Sequence, residues 1–171
     1  MSARLLILLL PIFFFFNSFS QNESIKKNTV SLELAGSGLF YSVNYDRLIV
    51  IDEKIRFSAT TSIWYLPKIE QLSDFQSFAG INLSFNTLIG KKTHFAELGF
   101  GLSYINMKQE NGKMYHTTYL PIRIGYRYQK DEGGLFGRVS FMPLFENYQH
   151  VDVQVLAVIT PYFALAIGYT F

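Results

Sequence analysis

Seven ionic residues, Glu33, Asp46, Arg56, Glu97, Arg123, Arg127 and Arg138, stand at alternate positions within otherwise apolar segments. Carboxylates and guanidiniums on one face of a sheet can do one of two things. They can line a path for ions or protons, or they can neutralise one another in a paired polar core, since buried charge persists only when paired and hydrogen-bonded. The paired core needs fewer assumptions and is the preferred reading. With a turn centred near Ile51, Asp46 is expected directly opposite Arg56. Glu97 is expected beside Arg123 and Arg127, since directly opposed Cβ atoms lie about 5 Å apart.

The three histidines raise the question of catalysis. His116 and His150 are expected on exposed loops, where a lipid-modifying hydrolase would need a serine and an acid close by. His116 precedes Thr117 and Thr118, and His150 lies near Glu146 and Asp152, but no glycine-framed serine accompanies either. Surface histidines are the plainer reading, and the chain is not expected to be an enzyme. His94 and Glu97 are no better as a metal pair, because three residues apart on a strand they point to opposite faces. No cysteine is present, which excludes a disulfide framework and a thiolate zinc site. No cofactor is implied. A net charge of +2 makes no case for a nucleic-acid partner.

The elements that would carry these residues are strands. Apolar and small or polar residues alternate with period two along most of the chain. The last segment is the clearest: Phe163, Leu165, Ile167, Tyr169 and Phe171 share one face, and Ala164, Ala166, Gly168 and Thr170 the other. Eight such segments are predicted, each about ten residues long, the length a tilted strand needs to cross a bilayer. They begin with Val30, Leu32 and Leu34, and the fourth runs near Phe78 to Thr87. Short connections (Val50 to Lys54, Ile89 to Thr93, Gln129 to Gly134) alternate with longer ones (Leu66 to Gln76, Met107 to Tyr115, Glu146 to Thr160). The Ala35 to Gly38 hairpin is the short exception, with glycines suited to positive φ. Val151 to Ile159 is read as an ordered outer loop.

Alternation alone does not tell a soluble barrel from a membrane one. Tyrosines gather at strand ends (Tyr41, Tyr45, Tyr104, Tyr126, Tyr128, Tyr169), as in interfacial girdles. The polar face is rich in Gly, Ala and Ser, which suits a narrow bore. No lysine or arginine falls mid-strand on the apolar face, where it would cost about 2–4 kcal/mol in lipid. Trp64 and the tyrosines are read as interface anchors in preference to a carbohydrate platform. The expected fold is therefore all-β: a closed antiparallel up-and-down transmembrane β-barrel of eight strands.

Residues 1–20 read as a signal peptide. Arg4 supplies the charged start, Leu5 to Phe16 the apolar stretch, and Ser18-Phe19-Ser20 the small residues before a cut at Gln21. Residues 21–27 would form a short periplasmic tail, and 28–171 the outer-membrane barrel.

Phe163-Ala-Leu-Ala-Ile-Gly-Tyr-Thr-Phe171 resembles the C-terminal strand signal by which bacterial outer-membrane proteins are recognised for assembly. Leu39-Phe-Tyr-Ser-Val-Asn-Tyr-Asp-Arg47 is similar to a segment near the start of small β-barrel proteins of the Bacteroidota, and Gly168-Tyr-Thr-Phe171 is similar to their ends. The resemblance implies the fold, the outer membrane and an encounter with the barrel-assembly machinery. It carries no active site. The expected role is structural or interactive, with outer-membrane lipid, lipopolysaccharide or an envelope protein as partners. A narrow solute channel is the alternative, and an outer-leaflet lipid hydrolase the third reading.

Overall fold

The structure is a computed structural model that describes residues 25–36, 40–50, 52, 54–68, 75–109, 111–146, 149–150, 153–154, 158–160 and 163–171. The signal-peptide reading of residues 1–20 and its cleavage site lie outside them. The strands are β1 (Asn28–Ala35), β2 (Tyr41–Val50), β3 (Ile55–Pro67), β4 (Phe75–Lys91), β5 (His94–Gln109), β6 (Met114–Tyr119) and β7 (Ile122–Gln129). They continue with β8 (Gly134–Phe141), β9 (Leu144–Glu146), β10 (Gln149–His150), β11 (Val153–Gln154), β12 (Val158–Thr160) and β13 (Phe163–Thr170).

Sequence neighbours pair antiparallel from β1 to β5, and β13 closes the ring by pairing with both β1 and β8. β6 and β7 share one position in the wall. β7 pairs with the first half of β5, from His94↔Tyr128 to Phe100↔Ile122, and β6 with its second half. The break falls at Leu120-Pro121, where proline has no N–H to give the ladder. The Pro121 carbonyl still accepts from Gly101 N–H at 2.9 Å, so the seam stays pinned. The result is a closed eight-stranded antiparallel barrel, and closure satisfies the backbone without help from water.

The alternation is inside out relative to a soluble protein. Leu32, Val43, Ile63, Phe85, Phe100, Leu165 and Ile167 are exposed on the outer wall, whereas Ser31, Glu33, Asn44, Thr60, Asn86 and Arg127 are buried in the bore. The chain ends of the barrel and its three short turns lie together at one end, here the turn end. Lys26 N–H donates to Asp131 O, and Asn28 and Phe171 exchange two backbone hydrogen bonds. Gly36 takes φ +72°, as its hairpin position requires, and Ala35 shares the left-handed region.

At the opposite, loop end the strands run further than their sequence suggests. β4 has 17 residues and β5 has 16, against roughly 9–11 needed to span the apolar layer. Residues assigned above to the Leu66–Gln76 and Met107–Tyr115 loops are therefore partly strand: Leu66 pairs with Phe78, and Met107 with Tyr115. The Ile89–Thr93 turn contracts to Lys92-Thr93, because Lys91 pairs with His94. The Val151–Ile159 reading as a loop also needs correction. Val158, Ile159 and Thr160 of β12 pair with Glu146, Phe145 and Leu144 of β9, and β10 pairs with β11, so this region carries hairpin ladders. Backbone pairing persists beyond the span because a ladder, once started, gains a bond with each further pair.

Candidate functional site

Among the described residues, the bore gathers charge of both signs out of solvent. Because side chains alternate faces, each strand delivers a few residues inward: Glu33 from β1, Asp46 from β2, Arg56 from β3, Glu97 from β5, Arg123 and Arg127 from β7, and Arg138 from β8. Six of the seven form one alternating chain of acid and base. Asp46 accepts from Arg127 Nη2 at 2.9 Å and Nη1 at 3.1 Å. Arg127 reaches Glu97 through Nε at 3.1 Å and Nη2 at 3.2 Å. Arg138 touches Glu97 at 3.5 Å and Glu33 at 2.6 Å. Arg123 ends the chain with Nη1 and Nη2 on Glu33, at 2.8 and 3.3 Å.

Three carboxylates and three guanidiniums leave this chain formally neutral. Glu33 and Arg127 have no exposed surface at all. A desolvated ion costs several kcal/mol unless matched, and the bidentate Arg127 contacts on two acids are the geometry that repays it best. Phe136 lies beneath the network, with Arg127 and Arg138 over its ring at 5.2 and 5.8 Å from the centroid. A cation over an aromatic face is itself favourable.

The expected pairing of Asp46 with Arg56 is corrected by the register. Asp46 stands opposite Thr60, whose hydroxyl donates to it at 2.6 Å, and Arg56 stands opposite Val50. The turn between β2 and β3 is centred later than Ile51, which moves the facing residue by four positions. Arg56 instead forms a two-nitrogen bridge to Asp131, at 2.5 and 3.0 Å, over the turn end of the bore. The pairing of Glu97 with Arg123 is also corrected. Glu97 takes Arg127 from the facing strand, whereas Arg123 reaches across the lumen to Glu33 on β1, which is not a neighbour of β7.

Below the ionic chain the bore is stopped by an apolar floor that sequence reasoning missed. Leu48, Leu88 and Phe95 form a buried cluster, with Ile25 and Val50 packed against it. Arg56 lies over the Phe95 ring at 4.7 Å, completing the stopper. The signal was present: Leu48 follows Asp46 by two, Leu88 follows Asn86 by two, and Phe95 and Phe136 precede Glu97 and Arg138 by two. Each therefore shares the inward parity of a recognised polar residue.

Above the ionic chain lies an amide and hydroxyl layer. Asn86 donates to Ser58 and Thr60 at 3.2 and 3.0 Å, and Asn82 to Ser103 at 2.7 Å. The space beside Asn82, Ser84, Arg123 and Met142 is about the size of one water molecule. Trp64, expected as an interface anchor, is instead buried in the lumen at 6 % exposure. It faces Gly80 across the β3–β4 ladder, and a Cβ on Gly80 would overlap the indole. Strand parity overrides aromatic preference here, because the missing side chain at Gly80 makes the room.

Of the histidines, His94 and His116 are exposed outside the lumen. His116 lies in β6, not in a loop, and its ring stacks on Tyr104. His94 is exposed on the outer wall at the turn end, where its Nδ1 is 2.5 Å from the Tyr126 hydroxyl. His150 falls in β10. Among the described residues no group of three or more His, Asp or Glu is placed to hold a metal ion. Phe163, Leu165, Ile167, Tyr169 and Phe171 are all exposed on the outer wall.

Comparison with known proteins supports the architecture. No protein-family model matches the chain, and no curated protein matches it. Among solved structures it is similar to the N-terminal β-barrel domain of Pseudomonas aeruginosa OprF, with a TM-score of 0.53 at 11 % identity. That match covers 88 % of this chain and all of that one. It is also similar to Ail, the attachment invasion locus protein of Yersinia pestis, with a TM-score of 0.52 at 10 % identity and the same coverage. At such identity the likeness is one of fold: a barrel of the outer-membrane type.

Proposed function

We propose that this chain is an integral outer-membrane protein whose interior is structural and whose work is done by its surfaces, through contacts of its outer extensions or periplasmic rim. In this reading the turn end faces the periplasm and the loop end faces outward. Short turns on one side and long strands on the other support that orientation. The observation that carries the proposal is the filling of the bore. Arg127, Phe136, Leu88 and Phe95 are almost wholly inaccessible, and the neutral ionic chain joins strands on opposite sides of the barrel.

Export by a cleaved signal peptide and delivery through the barrel-assembly machinery, with Phe163 to Phe171 as the recognised strand, belong to the same proposal. Outer-membrane lipid, lipopolysaccharide and an envelope protein are its partners. β4 and β5 would carry the contact surface, since both exceed the span. The deciding experiment is conductance in planar bilayers. The purified barrel should pass no resolvable current, whereas discrete openings would replace this reading with the narrow channel.

A further inference from the structure

Three consecutive turn-end connections bring lysines together on the rim. Lys54 lies beside Gly90, whose N–H donates to the Lys54 carbonyl at 2.9 Å. Lys91 and Lys92 follow directly, and Gln129 N–H donates to Thr93 O at 3.0 Å, which sets Lys130 next along the rim. Lys54, Lys91 and Lys92 are exposed, and Lys130 is half-buried. On the acidic side, Asp131 is held by Arg56. Asp52 and Glu132 are exposed in the same turns, and Glu53 lies outside the described residues. In sequence, the longer connections have the opposite balance, with Glu70, Asp74, Glu110, Glu146 and Asp152 against Lys68, Lys108 and Lys113.

The height of this patch is fixed by the wall. Ile89 and Ala96 face each other on the outer side, and Lys91 and His94 follow two residues nearer the turn end. Two residues of strand amount to roughly 7 Å. Lys91 shares the outward parity of Phe85 and Ile89, so its ammonium stands outside the barrel where hydrocarbon gives way to headgroups. Beside it His94 stacks on Tyr126 and meets Tyr128 edge to face, as in an interfacial aromatic group. Lys92, in the turn itself, holds φ +57°, a conformation that glycine or asparagine adopts with less strain.

We propose that Lys54, Lys91, Lys92 and Lys130 form a binding arc for the phosphates of anionic phospholipids in the periplasmic leaflet, a charge anchor that fixes the depth and tilt of the barrel. This rests on the outer-membrane orientation proposed above. Lipopolysaccharide, confined to the opposite leaflet, is not the ligand of this arc.

The test uses the mature chain refolded into phosphatidylcholine vesicles containing a minor fraction of phosphatidylglycerol, with spin-labelled forms of each lipid reporting which is held at the wall. Wild type should select phosphatidylglycerol, and each lysine-to-glutamine change at Lys91 or Lys92 should lower that selectivity roughly fivefold. Molar salt should abolish it. Lys92→Gly should relieve backbone strain, raising stability, yet lose the same selectivity. Lys108→Gln with Lys113→Gln at the loop end should leave it unchanged. Equal retention of both lipids by wild type overturns the arc, as does selectivity that follows Lys108 and Lys113. A chain that does not enter vesicles as a folded barrel overturns the membrane reading itself, a failure visible before any lipid is compared.

Discussion

Replacing Glu33 with alanine is the sharpest perturbation of the lumen. Glu33 accepts from Arg123 at 2.8 and 3.3 Å and from Arg138 at 2.6 Å, and it has no exposed surface. Without it, Arg138 keeps only the 3.5 Å contact with Glu97, and Arg123 keeps the Ser140 hydroxyl at 3.3 Å. Arg123 is then a buried cation with one neutral acceptor among these contacts. Breaking a buried pair from one side costs about 3–5 kcal/mol. At about 1.4 kcal/mol per decade, the folding constant should fall by about two to three and a half decades. Equilibrium urea unfolding in lipid vesicles would read this directly, with the single tryptophan, Trp64, as reporter. Removing both partners, as Glu33→Leu with Arg123→Met, should recover part of the loss, since Arg123 no longer stands as a stranded cation, while Arg138 still loses its 2.6 Å partner. A loss below about 1 kcal/mol for Glu33→Ala, or a double variant whose loss is the simple sum of the single ones, would refute the coupling described here.

Other substitutions follow the same logic. Asp46→Ala should cost less, about 1–3 kcal/mol in the same titration, because Glu97 still holds Arg127 through two nitrogens. Gly80→Val should push the indole of Trp64 out of place, costing about 1–3 kcal/mol and shifting the tryptophan emission. Leu165→Arg, on the outer wall, should destabilise the barrel by about 2–4 kcal/mol in vesicles.

The face of each strand was legible in the sequence; the partner of each residue was not. Phe163, Leu165 and Ile167 alternate with Ala164 and Ala166, and an exposed apolar wall around a crowded bore accounts for that pairing of large with small. The same parity placed all seven ionic residues inside. Register is a different matter, because moving a turn by two residues changes every facing partner by four and leaves every side chain on its own face. Asp46 therefore kept its side of the wall but exchanged Arg56 for Thr60 and Arg127. The contact of Arg123 with Glu33 crosses the bore between strands that do not pair, which no local pattern encodes. Trp64 shows the remaining weakness: its parity pointed inward while its chemistry suggested the interface, and the deciding fact was the missing side chain of Gly80 on the next strand.

Tryptophan quenching by lipids brominated in their acyl chains tests the inside-out arrangement most directly, because the chain has one native reporter and it lies in the lumen. In vesicles of such lipid, Trp64 should remain bright, and W64F/F100W, which moves the reporter to a position 67 % exposed on the outer wall, should be strongly quenched. Strong quenching of native Trp64, or an F100W reporter untouched by bromine, would contradict the account.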